Sequence, residues 1–197
     1  MATGRHTNTW TASNNIGYTY DELGRLWKVI VHQRNGVTID PPEVTTYEYT
    51  DVGSRKSVEL PNGAKTTYEY DSLNRLKKLE NRNTSDGNKL LSSFEYLLHA
   101  TGRRTNATEV IMGTNDTSYV TNTISWAYDG MYRLTNEVYT STEPGLSRTN
   151  YYSYDKVGNR LQKSGTGVPP VAYSYNANDQ LTTYTHKGSD PCILDCG

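Results

Sequence analysis

The residues of this sequence that could carry out acid–base chemistry are carboxylates paired with arginines. A general acid or base is a carboxylate whose neighbours hold or shift its proton. The sequence contains three Asp–Arg pairs at a spacing of four residues, namely Asp21–Arg25, Asp71–Arg75 and Asp129–Arg133. An active site needs one constellation, whereas this pair recurs along the chain. We therefore interpret it as a turn-stabilising charge pair, which contributes little when exposed.

The sequence shows no complete set of residues for nucleophilic catalysis or for binding a metal ion. The four histidines lie in unrelated positions: His6, His32, His99 and His186. No serine, cysteine or paired carboxylate has a partner at a recognisable spacing. Cys192 and Cys196 could form a small disulfide loop, but a zinc site would need two further ligands, so we interpret them as structural or incidental. We predict a non-enzymatic protein without a cofactor or a metal ion.

Composition argues against two classes of partner and points to strands. The net charge is −1 without a basic block, so the positive stripe needed for nucleic-acid binding is missing. We find no apolar run of transmembrane length and no signal peptide, so an exported protein would carry its address on another segment. Seventeen tyrosines against one phenylalanine, with 34% hydrophobic residues, predict half-wet sheet faces and no thick dry core.

One short pattern recurs along the chain, and its first copy is YTYDELGRLWKV, residues 18–29. Two tyrosines two residues apart place both rings on one face of a strand. Asp21 then bonds turn N–H groups, and Gly24 supplies a positive φ. The pattern predicts a β-hairpin. Leu26 and Val29 differ in parity along the return strand, which requires a bulge that we cannot place from sequence.

Seven copies of this pattern are found, with the second tyrosine of each pair at Tyr20, Tyr49, Tyr70, Tyr96, Tyr128, Tyr154 and Tyr175. The residues that we assign to the repeat signature, all in structural roles, are Tyr18, Tyr20, Asp21, Gly24, Arg25, Tyr47, Tyr49, Gly53, Tyr68, Tyr70, Asp71, Arg75, Tyr96, Gly102, Tyr128, Asp129, Arg133, Tyr152, Tyr154, Asp155, Gly158, Arg160, Tyr173 and Tyr175.

The glycine position varies among the copies. Asn74 fills it in the third copy and tolerates a left-handed backbone, whereas Tyr132 fills it in the fifth. The fourth copy pairs Phe94 with Tyr96, and its Gly102 then comes two residues late, which predicts a longer or bulged loop.

The charged positions vary as well. The second copy has Thr50 in the acidic position and its arginine at Arg55, and the sixth carries its arginine at Arg160. The seventh has Asn176 and Gln180, so it has lost both charges, as terminal repeats often do.

A second class of turn lies between the copies, at Asn35-Gly36, Asn62-Gly63, Asp86-Gly87 and Pro144-Gly145. The chain therefore reads as an all-β antiparallel meander of about seven hairpins, roughly fourteen strands in one long sheet curved by its own twist, without a helix. Residues 1–17 form a partial leading strand or arm, 18–184 the repeat array, and 185–197 a weakly ordered tail.

The segments YTYDELGRL, YEYDSLNRL, AYDGMYRL and YSYDKVGNRL resemble the YD repeat, also called the RHS repeat, over residues 18–184. The resemblance implies a hairpin sheet that spirals into a hollow shell, as in bacterial RHS toxins, the C component of insecticidal toxin complexes and animal teneurins. A full shell uses many more hairpins, so we expect a fragment. The family's core segment, which can carry an autoproteolytic aspartate pair, is not found, so Asp190 and Asp195 are given no such role.

We predict a non-catalytic wall segment of an encapsulating shell, secreted or at the cell surface in its full-length context. Its partners would be the rest of a larger shell or a cargo polypeptide. The alternative is an extracellular carbohydrate- or protein-binding module whose tyrosine pairs stack on a glycan. Recurrence of the pairs favours packing over binding. An open edge strand near Trp10 or Tyr184 predicts self-association, unless the tails of the chain fold back to cover the edge.

Overall fold

The computed structural model describes residues 5–115, 117–186 and 192–193, and these residues contain only strands and their connections. The chain divides into two compact units, Met1–Glu95 and Tyr96–Gly197. The strands of the first unit are β1 (His6–Trp10), β2 (Asn15–Tyr20), β3 (Leu26–Arg34), β4 (Val37–Tyr49), β5 (Arg55–Glu59), β6 (Ala64–Tyr70), β7 (Leu76–Asn83) and β8 (Lys89–Leu98), the last of which ends in the second unit.

The second unit continues with eight strands among its described residues. They are β9 (Arg104–Met112), β10 (Tyr119–Tyr128), β11 (Leu134–Ser141), β12 (Arg148–Tyr154), β13 (Arg160–Gly165), β14 (Val168–Tyr175), β15 (Leu181–His186) and β16 (Cys192–Ile193). Within each unit every strand pairs antiparallel with its sequence neighbour. The predicted all-β meander is confirmed, with two strands more than the seven hairpins supply because β1 precedes them and β16 follows them.

The bulge required by the sequence lies directly after the turn. Tyr20 pairs with Leu26 and Thr19 with Lys28, so Trp27 is the extra residue. With this insertion Leu26 and Val29 lie opposite Tyr20 and Tyr18 and can share their face. Register shifts at the equivalent place occur in five further hairpins, between Glu48/Tyr49, Glu69/Tyr70, Ala127/Tyr128, Ser153/Tyr154 and Ser174/Tyr175.

The second class of turn is confirmed at all four predicted places. Asn35 and Gly36 have φ values of 51° and 80°, as a two-residue hairpin turn of the primed type requires. The glycines of the other three also have positive φ, namely Gly63, Gly87 and Gly145. The YD hairpins are therefore joined by turns at the opposite ends of their strands.

The interior is thin, as the tyrosine-rich composition predicts. Among the described residues Ala107, 2% exposed, is the one buried hydrophobic side chain. The other buried side chains are small or polar, for example Ser57 and Asn122. The fold therefore depends on strand pairing and on half-buried rings, because a dry core is missing from the described part of the chain.

Strands are also present in the described parts of the two segments that flank the repeat array. The predicted arm, residues 1–17, supplies β1 and the start of β2. At the other end, Tyr184 pairs with Cys192 in β16, so the tail folds back and covers the edge at Tyr184, which is the case in which no self-association is predicted there. The remaining tail, 187–191 and 194–197, lies outside the described residues, and with it Cys196 and the predicted weak order.

Candidate functional site

The repeat signature converges on one local structure, the YD turn, defined here as the five residues from the acidic to the arginine position. In the first turn, Asp21 Oδ1 accepts hydrogen bonds from the backbone N–H groups of Leu23 (3.0 Å) and Arg25 (2.8 Å). The Gly24 N–H donates to the Asp21 carbonyl, and Gly24 has a φ of 76°. The acidic side chain thus satisfies the donors that the reversal of the chain leaves without a strand partner.

The same backbone geometry is present in all seven turns. The residue in the acidic position donates its N–H to the carbonyl four residues later in each turn, and these residues are Asp21, Thr50, Asp71, His99, Asp129, Asp155 and Asn176. The residue in the glycine position has a positive φ in each turn, and these residues are Gly24, Gly53, Asn74, Gly102, Tyr132, Gly158 and Asp179. The backbone is therefore retained where the side chains are not.

The fourth copy is placed differently from the prediction. His99 N–H donates to the Arg103 carbonyl (2.7 Å) and Gly102 N–H to the His99 carbonyl (2.8 Å), as in the other turns. The tyrosine positions are consequently held by Tyr96 and Leu98, so the predicted pairing of Phe94 with Tyr96 is two residues out of register. The predicted longer loop is wrong, because Gly102 stands where Gly24 stands in the first turn.

Three turns contain the ion pair that the sequence singled out. The distance from the arginine to the Asp Oδ2 is 2.6 Å for Arg25, for Arg75 and for Arg133. The Arg133 backbone N–H and then its guanidinium lower the pKa of Asp129, and Arg75 acts in the same way on Asp71. Carboxylates held ionised in this way bind turn N–H groups and are poor proton carriers.

The second and sixth turns replace the arginine with a short polar side chain. The backbone N–H of Ser54 donates to Thr50 Oγ1 (3.1 Å), and the side-chain Nδ2 of Asn159 donates to Asp155 Oδ2 (3.0 Å). Partial desolvation disfavours the charge on Asp155, but its hydrogen bonds still lower its pKa. The signature arginines one residue later lie beside tyrosine rings instead: Arg55 is 5.7 Å from the Tyr47 centroid, and Arg160 is 4.6 Å from the Tyr173 centroid.

The second tyrosine of a copy joins its hairpin to the preceding one. Its hydroxyl donates to the carbonyl of the first return-strand residue of that hairpin. The pairs are Tyr49 to Leu26 (2.8 Å), Tyr70 to Arg55 (2.8 Å), Tyr128 to Arg104 (3.0 Å), Tyr154 to Leu134 (2.8 Å) and Tyr175 to Arg160 (3.0 Å). We call these bonds the tyrosine ladder. Partial burial raises the pKa of Tyr70, so this hydroxyl remains a donor at neutral pH.

The arginine position extends the connection in the other direction. The Arg25 guanidinium lies 4.7 Å from the Tyr49 centroid and donates through Nη1 to the Thr50 carbonyl (3.2 Å). Arg133 repeats the arrangement, with Tyr154 at 4.9 Å and the Asp155 carbonyl as acceptor. One side chain therefore fixes its own turn and the turn of the next hairpin.

The first tyrosines complete the face. Tyr18, Tyr47, Tyr68, Tyr152 and Tyr173 are half-buried, as are all the second tyrosines named above. A half-buried pair of tyrosines recurs in five of the seven hairpins, while Leu98 and Trp126 each replace one tyrosine in the other two. The tyrosine rings are arranged as a packing surface that recurs, without a single cluster that differs from the others.

Two further features were sought in the described part of the chain, a metal-binding cluster and a membrane-spanning helix. No group of three or more histidine, cysteine, aspartate or glutamate side chains is placed to hold a metal ion among residues 5–115, 117–186 and 192–193. The same residues contain no helix with the length and apolarity to span a membrane.

Solved structures share this arrangement of strands. A chain of the Photorhabdus luminescens Tc holotoxin pore structure, carrying the TccC3 mutation D651A, matches 94% of this chain with a TM-score of 0.59 and 16% identity. A chain of the TcdB2-TccC3-Cdc42 crystal structure matches 90% of it with a TM-score of 0.62 and 17% identity. The chain has the YD-repeat (RHS) fold. The resemblance drawn from the sequence is confirmed at the level of the fold.

The match covers only a small part of the length of the solved chains. This chain spans 12% of the length of either matched toxin chain. No protein-family model matches the sequence, and no curated protein is significantly similar to it. At this level of identity the YD-repeat fold is shared, while activity and partners of the toxins are not transferred by the comparison.

Proposed function

We propose that this chain is a non-catalytic structural segment of the wall of a YD-repeat shell. The observation that carries the proposal is that the signature side chains bond within the turns and between successive hairpins. Tyr49, for example, donates its hydroxyl proton to the Leu26 carbonyl and has the Arg25 guanidinium 4.7 Å from its ring centroid, so its polar group and one ring face are engaged within the array. Side chains that are engaged in contacts within the array have a structural role, whereas a catalytic group must be free to contact a substrate.

The solved structures support the same function. The matched chains are components of toxin complexes, and this chain corresponds to a stretch of their hairpin array. We therefore assign as its partners the remaining hairpins of a larger shell and a cargo polypeptide inside it. Secretion or display at the cell surface of a bacterium follows from the same assignment.

The test is electron microscopy of the complete natural polypeptide that contains this segment. The proposal predicts a closed hollow particle with this segment in its wall, in which a polypeptide inside is resistant to added protease. A solid or open particle, or equal digestion of all segments, would contradict it.

A glycan array separates the proposed function from a binding module. The wall assignment predicts no binding that depends on one tyrosine cluster. Binding that is lost on changing Tyr152 and Tyr173 to alanine, but retained on changing Tyr18 and Tyr47, would favour the binding module, provided that circular dichroism shows both variants folded.

A further inference from the structure

The fourth YD turn contains a guanidinium that lacks the carboxylate present in its counterparts. Arg103 holds the arginine position, but His99 replaces the aspartate. His99 Nδ1 accepts the Thr101 N–H (3.2 Å) and lies 2.9 Å from Thr101 Oγ1. It thus performs the backbone-capping part of the aspartate's role. An imidazole has no second oxygen for the arginine, whereas Asp129 uses Oδ2 to bind Arg133.

Two of the three guanidinium nitrogens of Arg103 are correspondingly unsatisfied. Its Nε and Nη1 atoms are buried and have no hydrogen-bond partner among the described residues. In the first and fifth turns the same Nε atom is paired with a carboxylate at 2.6 Å. Buried charged donors without an acceptor are unfavourable and rare, so a bound acceptor is the expected complement.

Two tyrosine rings enclose this guanidinium. Its central carbon lies 5.0 Å from the Tyr128 centroid and 3.8 Å from the Tyr132 centroid. The ring faces attract the cation but do not supply in-plane acceptors for its N–H groups. Tyr132 is 61% exposed, so the ring that covers the guanidinium on this side lies at the protein surface, where an acceptor from solution would displace it.

The position of Tyr132 is unusual for an aromatic residue. It holds the glycine position of the fifth turn with a φ of 68°, where a side chain is strained. Asparagine and aspartate satisfy the same backbone in the third and seventh turns, at Asn74 and Asp179. The turn backbone therefore does not explain why an aromatic residue stands at position 132. The contact of the Tyr132 ring with the Arg103 guanidinium does explain it.

We propose that Arg103, between Tyr128 and Tyr132, is a binding site for a carboxylate supplied from outside the turn. The local charge favours an anion, because Arg104 follows directly and is 4.1 Å from the Tyr96 centroid, whereas Asp129 is engaged by Arg133. The carboxylate belongs to a small acid or to an acidic side chain of a polypeptide. This site is independent of the shell assignment.

Thermal unfolding at constant ionic strength, with acetate replacing chloride, tests the site. Acetate is expected to raise the Tm of the wild-type chain saturably. His99→Asp supplies an internal carboxylate, so this variant should have a higher Tm in chloride and no saturable response to acetate. Arg103→Gln should also lose the response, and Arg34→Gln, which removes a charge from the first unit, should keep it.

A second arm identifies the source of the carboxylate. The same Tm measurement is made with a tetraglutamate peptide whose termini are capped. If the peptide raises the Tm at a much lower carboxylate concentration than acetate does, the ligand is a polypeptide; if both act at the same carboxylate concentration, it is a small acid. Equal acetate responses of wild type and His99→Asp would overturn the proposal, and so would the absence of a saturable response in the wild type. Because His99→Asp should stabilise the fold, the test does not depend on Arg103→Gln folding.

Discussion

At the scale of single residues, the YD turn is defined by a left-handed backbone position that glycine, asparagine, aspartate and tyrosine all occupy. The φ values at this position run from 58° at Asn74 to 110° at Gly158. Left-handed backbone costs an ordinary residue roughly 1–2 kcal/mol, and asparagine less than most. Replacement of the glycine should therefore lower the free energy of unfolding by an amount that depends on the side chain that is introduced.

Gly24 offers the cleanest test of this position. Nothing lies within 4 Å of a Cβ built on it, so a Cβ there meets conformational strain without a clash. We expect Gly24→Val to lower the free energy of unfolding by more than about 1 kcal/mol, and Gly24→Asn to lower it much less. Chemical denaturation measures both changes.

Gly130 is the matched control for Gly24. It lies in a YD turn, also has open space around it, and does not have a positive φ. Gly130→Ala should change stability by less than about 0.5 kcal/mol. Equal effects of Gly24→Val and Gly130→Ala would show that φ is not the cause.

The ionised aspartates make the fold sensitive to acid. The pKa values of Asp21, Asp71, Asp129 and Asp155 are lowered in the folded chain. A carboxyl whose folded pKa lies below its unfolded value, about 3.9, contributes stability above that value and loses it as the pH falls through the folded pKa. We therefore expect the chain to lose stability as the pH falls below about 4.

The seventh turn suggests how to remove this dependence. Asn176 Nδ2 donates to Gln180 Oε1 (2.7 Å), which is a neutral copy of the Asp–Arg pair. The double variant Asp129→Asn with Arg133→Gln should have a shallower loss of stability between pH 5 and pH 2.5 than the wild type. Identical pH profiles of the free energy of unfolding would mean that the pair is not linked to folding.

At the scale of the hairpin, the arginine position joins neighbouring elements. Arg25 contacts its own aspartate, the ring of Tyr49 and the carbonyl of Thr50, whereas Arg34 forms an exposed pair with Glu43. A lysine keeps the charge but loses the planar fork and the stacked ring contact. Arg25→Lys should therefore lower the Tm clearly more than Arg34→Lys does in the same thermal scan. Equal shifts would contradict a connection through the guanidinium.

The sequence contains the hairpins but not the contacts between them. The tyrosine spacing and the Asn-Gly turns predict the strands because these signals are local. The bulge at Trp27 is seen only when β2 and β3 are paired, since parity reveals that a residue is extra without showing which one. The hydroxyl bond from Tyr49 to Leu26 crosses 23 residues, and no local pattern encodes it.

The fourth copy shows a different limit of sequence analysis. Phe94 and Tyr96 have the spacing of the tyrosine pair. The second tyrosine position is in fact occupied by Leu98 and the acidic position by His99, so neither position has its usual residue type. The Gly102-Arg103 dipeptide marks the position of this turn, because the glycine position is the one that the backbone constrains. The same substitution leaves Arg103 without a carboxylate, which a pattern of types and spacings does not reveal.

At the scale of the whole molecule, the first unit ends in a strand edge. β1 pairs with β2 on one side, no described strand pairs with its other side, and Trp10 is 68% exposed. Unpaired edge strands recruit further strands. In sedimentation velocity, the isolated chain should show concentration-dependent association that Trp10→Lys weakens. Leu23→Lys, which removes an exposed apolar side chain from a turn, should leave the association unchanged, and a monomer at all concentrations would contradict the prediction.

The proposed scaffold depends on the tyrosine ladder, and the removal of one hydroxyl at a time is its sharpest test. The series Tyr49→Phe, Tyr70→Phe, Tyr128→Phe, Tyr154→Phe and Tyr175→Phe keeps each ring and deletes one bond between hairpins. Tyr151→Phe, at an exposed tyrosine outside the ladder, is the control. We predict that each ladder variant loses about 0.5–1.5 kcal/mol of unfolding free energy and that the control loses almost none. A loss confined to one variant, with the other four equal to the control, would contradict a scaffold built from equivalent hairpins.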